Sequence, residues 1–174
     1  MNYMGIDVGS TTVKSVIIID NKDILFSEYM RHYSDIKNTV KALLEAAKDK
    51  VGEIPLKVMI TGSGGLLLSK MIGIGFVQEV IATKTAVKKI LPETDVVIEL
   101  GGEDAKILYL TNGLEQRMNG TCAGGTGSFI DQMAILLKTD AKGLNALAQN
   151  HTHMYKIAAR CGVFAKSDVQ PLLN

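Results

Sequence analysis

Residues 5–14, GIDVGSTTVK, place a glycine-containing turn between two runs of apolar and β-branched residues. The runs, residues 3–8 and 13–19, have the composition of strands, and Gly9-Ser10-Thr11-Thr12 supplies the small and hydroxyl residues of a turn. The segment therefore predicts a β-hairpin. Its spacing fits neither the Walker phosphate loop nor a dinucleotide-binding fold, so alone it is either a phosphate-binding turn or a turn that simply needs glycine.

The residues that follow predict alternating strands and helices. Asp35 is a suitable N-cap, and the apolar residues after it recur at helical spacing as far as Gly52. Pro92 stops a later helix. The predicted strands are residues 24–29, 57–60 and 76–78, and the predicted helices are residues 36–51, 66–72 and 83–91. Counted from the first hairpin, the order is β-β-β-α-β-α-β-α.

A second series of strands starts at Asp95 and repeats the pattern of the first. Gly101-Gly102 follows its first strand, and a turn is predicted over residues 111–113. The predicted strands are residues 95–100, 106–110 and 114–118. We therefore predict a duplicated fold, with one domain over residues 1–93 and a second over residues 94–174.

Both openings carry residues suited to binding phosphate. An acid precedes the glycine turn, Asp7 in the first opening and Glu99 in the second, and a lysine follows it, Lys14 and Lys106. Backbone amides of such turns can contact phosphate oxygens. The acids can hold Mg²⁺ through water, because this ion keeps most of its hydration shell. The sequence therefore predicts a polyphosphate that two turns bind from both sides of one cleft.

The chain has two cysteines, and each begins a similar segment. Residues 118–133 read MNGTCAGGTGSFIDQM, and residues 160–174 read RCGVFAKSDVQPLLN. We expect the sulfurs of Cys122 and Cys161 to lie beside the N-termini of the helices that follow them, where amide donors favour a thiolate. Two thiolates from each chain of a two-fold dimer can complete a four-thiolate iron–sulfur site. The alternative is that both are buried, reduced cysteines that act as small hydrophobes.

Composition and charge exclude several classes of partner. The chain has 174 residues, of which 47% are apolar, so a core can form without disulfides. The net charge is +1, from 19 basic and 18 acidic residues, so we expect no nucleic-acid partner and no membrane partner. No run approaches the roughly 20 apolar residues of a spanning helix. Two cysteines and an opening that does not read as a signal peptide predict a cytoplasmic protein.

Five motifs together resemble a known family. They are GIDVGSTTVK at 5–14, TGSGG at 61–65, ELGGEDAK at 99–106, MNGTCAGGTGSFIDQMA at 118–134 and RCGVFAKSDV at 160–169. The first and third resemble the phosphate motifs of the actin, sugar-kinase and heat-shock-chaperone ATPase superfamily. The whole set resembles the ATPase activators of 2-hydroxyacyl-CoA dehydratases and the ATP-binding subunits of benzoyl-CoA reductase. This resemblance implies an α/β fold, the ribonuclease H-like duplicated ATPase fold of the actin type.

The resemblance also implies a function and a set of site residues. Such proteins pass one electron, at the expense of ATP, from a [4Fe-4S] cluster that bridges a homodimer to a 2-hydroxyacyl-CoA dehydratase or related reductase. The cluster ligands here would be Cys122 and Cys161. Asp7 and Glu99 would be the catalytic acids beside ATP and Mg²⁺. The residues that contact ATP or ADP would be Gly9, Ser10, Thr11, Thr12, Lys14, Gly101, Gly102, Glu103 and Asp104.

Two features depart from the family pattern. Residues 99–104 read ELGGED where the family usually has DIGGQD, so Glu103 adds a carboxylate beside the phosphates and disfavours hydrolysis unless a cation compensates. The family's adenosine-side loop should follow residue 174, so we expect the second domain to be incomplete. Two alternatives stay open: a cluster-free phosphotransferase of the sugar-kinase or acetate-kinase type, and a nucleotide-binding module without turnover.

Overall fold

The structure, a computed structural model, describes residues 1–19, 23–111, 113–119, 122 and 124–173. The chain divides into two units, Met1–Thr94 and Asp95–Asn174. Within the described ranges, none of the helices is long and apolar enough to cross a lipid bilayer.

The first unit contains a mixed sheet and helices in the predicted order. Its described elements are β1 (Asn2–Val8), β2 (Thr12–Ile19), β3 (Asp23–Arg31), α1 (Ile36–Val51), β4 (Leu56–Thr61), α2 (Gly65–Ile72), β5 (Gly75–Phe76) and α3 (Glu79–Ile90). Across the sheet the strands follow the order β3-β2-β1-β4-β5. Strand β1 is antiparallel to β2 and parallel to β4. Asp7, near the end of β1, therefore lies beside Thr61 at the end of β4.

The core of the first unit lies between one face of this sheet and α1. Side chains alternate along β1, so Met4, Ile6 and Val8 are buried on the same face. Val40 and Leu43 recur at helical spacing along α1 and belong to the same buried cluster. The sheet and the helix thus bury matching apolar faces.

Local signals set both ends of α1. The Asp35 side chain accepts a hydrogen bond from the Asn38 backbone N–H at 3.2 Å and caps the start of the helix. Hydrogen bonds from the side chain and backbone of Asn38 hold the pKa of Asp35 below its usual value. Gly52 ends the helix with φ 72°, which glycine adopts without strain. Both predicted ends of this helix are confirmed.

Strand β5 and helix α3 differ from their predicted ranges. The strand ends at Phe76 and the helix begins at Glu79, so the predicted strand over 76–78 and the predicted helix start at residue 83 are wrong. Gln78 is extended, with φ −64° and ψ 141°, and takes the cap position. Glutamine is a weak N-cap signal, and this is why the sequence pattern placed the helix start too late.

The second unit begins with an antiparallel sheet and continues in helices. Its described elements are β6 (Val96–Leu100), β7 (Ala105–Tyr109), β8 (Glu115–Met118), α4 (Gly127–Leu136), α5 (Ala141–Gln149), α6 (Gly162–Val169) and a 3₁₀ turn (Gln170–Leu173). The described strands follow the order β6-β7-β8. The three predicted strands are confirmed, with ends shifted by one residue. Asn112, in the turn predicted over 111–113, lies outside the described residues.

The hairpins β1–β2 and β6–β7 match residue for residue around their turns. In each, the acid lies opposite the lysine across the two strands. In each, the turn glycine donates its N–H to the carbonyl three residues later, at 2.9 Å in the first hairpin and 2.8 Å in the second. The equivalent residues are Asp7 and Glu99, Gly9 and Gly101, Thr12 and Asp104, and Lys14 and Lys106. The pattern that restarts at Asp95 is thus a structural repeat.

Leu43 and Leu44 provide a matched test of the core, because these neighbours on α1 are 0% and 40% exposed. We expect Leu43→Ala to lower the free energy of unfolding by about 2–5 kcal/mol, because it leaves a cavity in the core. Leu44→Ala, the control, should cost less than about 1 kcal/mol. Urea unfolding followed by circular dichroism measures both. Equal losses would contradict the assignment of the core face of α1.

Candidate nucleotide and cysteine sites

The turn of the first hairpin is closed by a backbone hydrogen bond. The Gly9 N–H donates to the Thr12 carbonyl at 2.9 Å. A Cβ on Gly9 would lie 3.4 Å from that carbonyl oxygen and 3.7 Å from Lys14 Nζ, so Gly9 is a near neighbour of the lysine. Ser10 is exposed, Thr11 is partly buried and Thr12 is buried. The turn therefore offers Ser10 to solvent, with the Lys14 ammonium beside its first residue.

Asp7, near the end of β1, is one partner of an ion pair. Lys14 Nζ lies 2.8 Å from Asp7 Oδ2. Asp7 Oδ1 and Thr61 Oγ1 are buried, and neither has a hydrogen-bond partner among the described residues. All three residues line a surface groove of about 550 Å³. Because a buried polar oxygen without a partner costs free energy, these two atoms are candidate acceptors for a bound water, cation or ligand.

The motif at residues 61–65 packs against the end of β1. Gly62 has φ 98°, and a Cβ there would lie 2.5 Å from Asp7 Oδ1. The Gly64 N–H donates to the Val8 carbonyl at 2.8 Å. Glycine is therefore required where this motif passes Asp7. Thr61 was missing from the predicted site residues, although its place at the end of a predicted strand beside the glycine cluster was the signal for it.

The second turn repeats the first with a more deeply buried lysine. The Lys106 side chain is 7% exposed, and its Nζ lies 3.2 Å from Glu99 Oε1 and 3.4 Å from Asp104 Oδ1. These carboxylates compensate a charge that would be costly to bury alone. Glu99 Oε2 is buried without a hydrogen-bond partner in the part of the chain that the structure describes. Glu103, the unusual acid of this motif, is exposed.

Helix α4 begins directly on the second turn. The Gly127 N–H donates to the Gly101 carbonyl at 2.9 Å, and the Ser128 N–H donates to the Gly102 carbonyl at 2.8 Å. The Ser128 hydroxyl donates to the same Gly102 carbonyl at 2.6 Å. The first amides of α4 are thus bonded to the turn, because the two glycine carbonyls point at the helix N-terminus. These two amides therefore do not donate to the Cys122 sulfur.

Cys122 lies instead beside the N-terminus of α6. Its sulfur accepts the Gly124 N–H at 3.4 Å and also the N–H of Gly162, the first residue of α6. These two donors lower the pKa of the Cys122 thiol, because they stabilise the thiolate. Cys161 is the N-cap of α6, as predicted. Cys122 is exposed and Cys161 partly exposed, so neither is a buried core cysteine in this chain.

Two glycines bring the cysteine segments into backbone contact. A Cβ on Gly124 would lie 3.0 Å from the Gly162 nitrogen, and a Cβ on Gly162 would lie 3.1 Å from Phe129 Cδ2. Cys122 and Gly162 line a surface cavity of about 370 Å³. Among the described residues, no three His, Cys, Asp or Glu side chains come together as a metal site. The thiols that the chain offers to a metal at this surface are therefore the two cysteines.

Asn119 links the cysteine segment to the second turn. Its Oδ1 accepts the N–H of Ala105, which directly follows the turn, and its Nδ2 donates to the Cys122 carbonyl, both at 2.9 Å. Ser128, on the other side of Cys122 in sequence, is bonded to Gly102 of the same turn. The segment that carries Cys122 is thus attached to the second turn at both of its ends.

Several known proteins with similar sequences are named as dehydratase activators. The 2-hydroxyisocaproyl-CoA dehydratase activator of Clostridioides difficile is 35% identical over 97% of this chain and 65% of its own length. The (R)-2-hydroxyglutaryl-CoA dehydratase activating ATPase of Acidaminococcus fermentans is 33% identical over 95% of this chain and 65% of its own length. The chain therefore spans just under two thirds of the length of these relatives.

Structural and family comparisons agree with the sequence relatives. The activator of the 2-hydroxyisocaproyl-CoA dehydratase from Clostridium difficile, solved with bound ADPNP, matches with a TM-score of 0.87 at 33% identity, over 99% of this chain and 66% of that one. This likeness confirms the predicted α/β fold of the actin-like ATPases. The BadF/BadG/BcrA/BcrD ATPase family model matches residues 4–174. As the five motifs predicted, the chain therefore belongs to the BadF/BadG/BcrA/BcrD ATPase family.

Proposed function

We propose that this chain binds ATP within an activator that passes one electron to a 2-hydroxyacyl-CoA dehydratase or a related reductase. The observation that carries the proposal is the second turn. It lies beside a carboxylate–lysine pair of phosphate-site type, and its backbone at Gly102 and Ala105 is hydrogen-bonded to both ends of the cysteine segment. The relatives add support, because they are named activators of such dehydratases and one was solved with ADPNP.

The first turn binds the ATP phosphates in this proposal. The Gly9 N–H closes the turn, and the backbone amides that follow it, with the exposed Ser10 side chain, are donors of the kind that phosphate oxygens accept. Lys14 adds a charge-assisted contact, and its position beside Gly9 supports this role. Thr12 contributes its carbonyl, which closes the turn, while its side chain is buried.

The second turn makes equivalent contacts with phosphate through Gly101, Gly102, Glu103 and Asp104. Its backbone is fixed by the hydrogen bond from Gly101 to Asp104 and by the bonds from α4. Glu103 is exposed, so its carboxylate can turn toward solvent and away from the phosphates. In this orientation Glu103 does not repel the phosphates, so it does not oppose hydrolysis.

Asp7 and Glu99 are the acids of the proposed reaction. In each, one carboxylate oxygen forms an ion pair with a lysine. The other oxygen is buried and has no hydrogen-bond partner in the described ranges. Such an oxygen can accept a hydrogen bond from a water, and it can thereby orient a nucleophile or a water of a hydrated cation. Mg²⁺, when bound with ATP, supplies positive charge to the phosphates. Mg²⁺ prefers oxygen ligands, so the carboxylates of Asp7 and Glu99 fit this ion.

Cys122 and Cys161 are the proposed cluster ligands. Both reach the surface at one helix N-terminus, and two amide donors favour the Cys122 thiolate, which is the form that binds iron. One chain provides two thiolates, so a second copy related by a two-fold axis would provide the other two. The [4Fe-4S] cluster, when bound, supplies a centre that takes up and releases one electron. The homodimer in this proposal forms around it.

The two proposed sites communicate through the backbone of the second unit. A change in the carbonyls of Gly101 and Gly102 would act directly on the start of α4, because Gly127 and Ser128 are bonded to them. A change at Ala105 would act on the Cys122 carbonyl through Asn119. Hydrolysis at the second turn can therefore move the segment that carries a cluster ligand. This connection favours the activator over a cluster-free phosphotransferase, whose reaction does not involve Cys122.

Replacing Lys14 tests nucleotide binding. In the full-length protein, Lys14→Ala should weaken MgATP binding by about 1–3 kcal/mol, because a charge-assisted contact to phosphate is lost. Lys41→Ala is the matched control, since Lys41 pairs with Glu45 on the exposed side of α1 at 3.7 Å. Isothermal calorimetry measures both affinities. An unchanged affinity in Lys14→Ala would contradict the assignment of the first turn.

Replacing a cysteine tests the cluster. Anaerobically purified full-length protein should be brown from sulfur-to-iron charge transfer, and Cys122→Ser or Cys161→Ser should lose iron and colour, because two of the four thiolates of a dimer disappear. Ser167→Ala, an exposed change on α6, should keep both. Iron analysis and visible absorption are the measurements. A colourless wild-type protein that binds ATP would instead favour the phosphotransferase or the binding module.

A further inference from the structure

His32 is a buried histidine to which the proposed function gives no role. It directly follows β3 and is 6% exposed. The Ser34 N–H donates to its Nδ1 at 3.1 Å, and its Nε2 lies 3.2 Å from the Gly9 carbonyl oxygen. A ring nitrogen that accepts an N–H carries no hydrogen, so Nε2 carries the hydrogen of the neutral ring. His32 therefore donates a hydrogen bond to the first residue of the phosphate turn.

The backbone of His32 also contacts this turn. Its N–H donates to the Thr11 carbonyl at 3.2 Å. Its carbonyl accepts the N–H of Asp35 at 2.6 Å, and Asp35 caps α1. His32 thus connects two carbonyls of the first turn to the start of the helix that covers the core.

The chain bends sharply to keep the ring in this position. Tyr33 and Ser34 have φ angles of 45° and 68°, in the left-handed region that residues other than glycine rarely adopt. This bend brings the Ser34 N–H back to His32 Nδ1. Backbone in such conformations persists only where neighbouring contacts hold it, and it is concentrated at functional sites. The bend is thus a second sign that the orientation of the ring matters.

The hydrogen bond to Gly9 sets the direction of an amide. In a trans peptide the carbonyl and the N–H of the next residue point in opposite directions. The Gly9 carbonyl points at the buried ring of His32, so the N–H of Ser10, in the same peptide, points away from the ring. Ser10 is exposed. An outward amide on an exposed turn is a donor that a phosphate oxygen can use.

We infer that His32 is a positioning residue for the nucleotide: its Nε2–H fixes the Gly9 carbonyl, and the Ser10 amide is thereby directed at a phosphate oxygen before ATP arrives. The inference rests on the proposed role of the first turn in ATP binding. A donor that is already fixed does not have to be ordered on binding, so the contact adds to affinity. Removing the Nε2–H donor should therefore weaken ATP binding, although His32 itself does not contact ATP in this proposal.

Replacing His32 with Gln or with Asn keeps one of the two hydrogen bonds of the ring and removes the other. The side-chain nitrogen of Gln reaches about as far as Nε2, so His32→Gln can still donate to Gly9. The side-chain oxygen of Asn lies where Nδ1 lies, so His32→Asn can still accept from Ser34 but cannot reach Gly9. In calorimetric titrations of the full-length protein with MgATP, His32→Asn and His32→Ala should bind about three- to tenfold more weakly, the range for one net hydrogen bond. The MgATP affinity of His32→Gln should lie within about twofold of the wild-type affinity.

The control is His153→Gln, a change at an exposed histidine, which should leave the affinity unaltered. Thermal unfolding without nucleotide is measured for each variant, so that a general loss of stability is seen separately. If His32→Asn binds ATP like wild type, or if the Gln and Asn variants are weakened equally, the inference is overturned and the ring is only a structural support. A wild-type protein that does not bind MgATP would overturn the proposed function, and the inference with it.

Discussion

Both glycine turns lie beside the same interaction, an ion pair between a lysine and a carboxylate on opposite strands of a β-hairpin. Lys14 lies 2.8 Å from Asp7, and Lys106 lies 3.2 Å from Glu99. Each pair requires the same strand register, because a shift of one residue would move one partner to the other face of the sheet. Each pair also leaves a buried carboxylate oxygen with no partner in the described parts of the chain. The repeat thus produces two rigid acceptors, each beside a glycine turn.

The two turns are supported in different ways, and this difference separates their roles. Behind the first turn, His32 bonds to the Gly9 carbonyl and connects to the start of α1 in the core. The second turn is hydrogen-bonded instead to Ser128 and Asn119, which belong to the segment around Cys122. The first turn is therefore tied to the helix that packs on the core. The second is tied to the segment whose Cys122 lies at the N-terminus of α6.

Local signals explain why so much of the fold could be predicted from sequence. Asp35 and Gly52 mark the ends of α1 by their own chemistry, whereas Gln78 carries no such signal and the start of α3 was misplaced. The site depends more on contacts between distant residues. Cys122 lies beside α6 because Gly124 meets Gly162, and the ring of His32 meets Gly9 only after β3 has paired with β2. Sequence spacing does not encode these contacts, so it did not predict that Cys122 lies at the start of α6.

In the proposed function, the second turn and the cysteine segment move together when nucleotide binds. Electron paramagnetic resonance of the reduced, anaerobically purified full-length protein measures this movement, because the spectrum of the proposed cluster would report the geometry of its cysteine ligands. With saturating MgATP or MgADP the spectrum should change, and Ser128→Ala, which removes a 2.6 Å bond to Gly102, should reduce that change. A cluster spectrum that is identical with and without bound nucleotide would contradict the account.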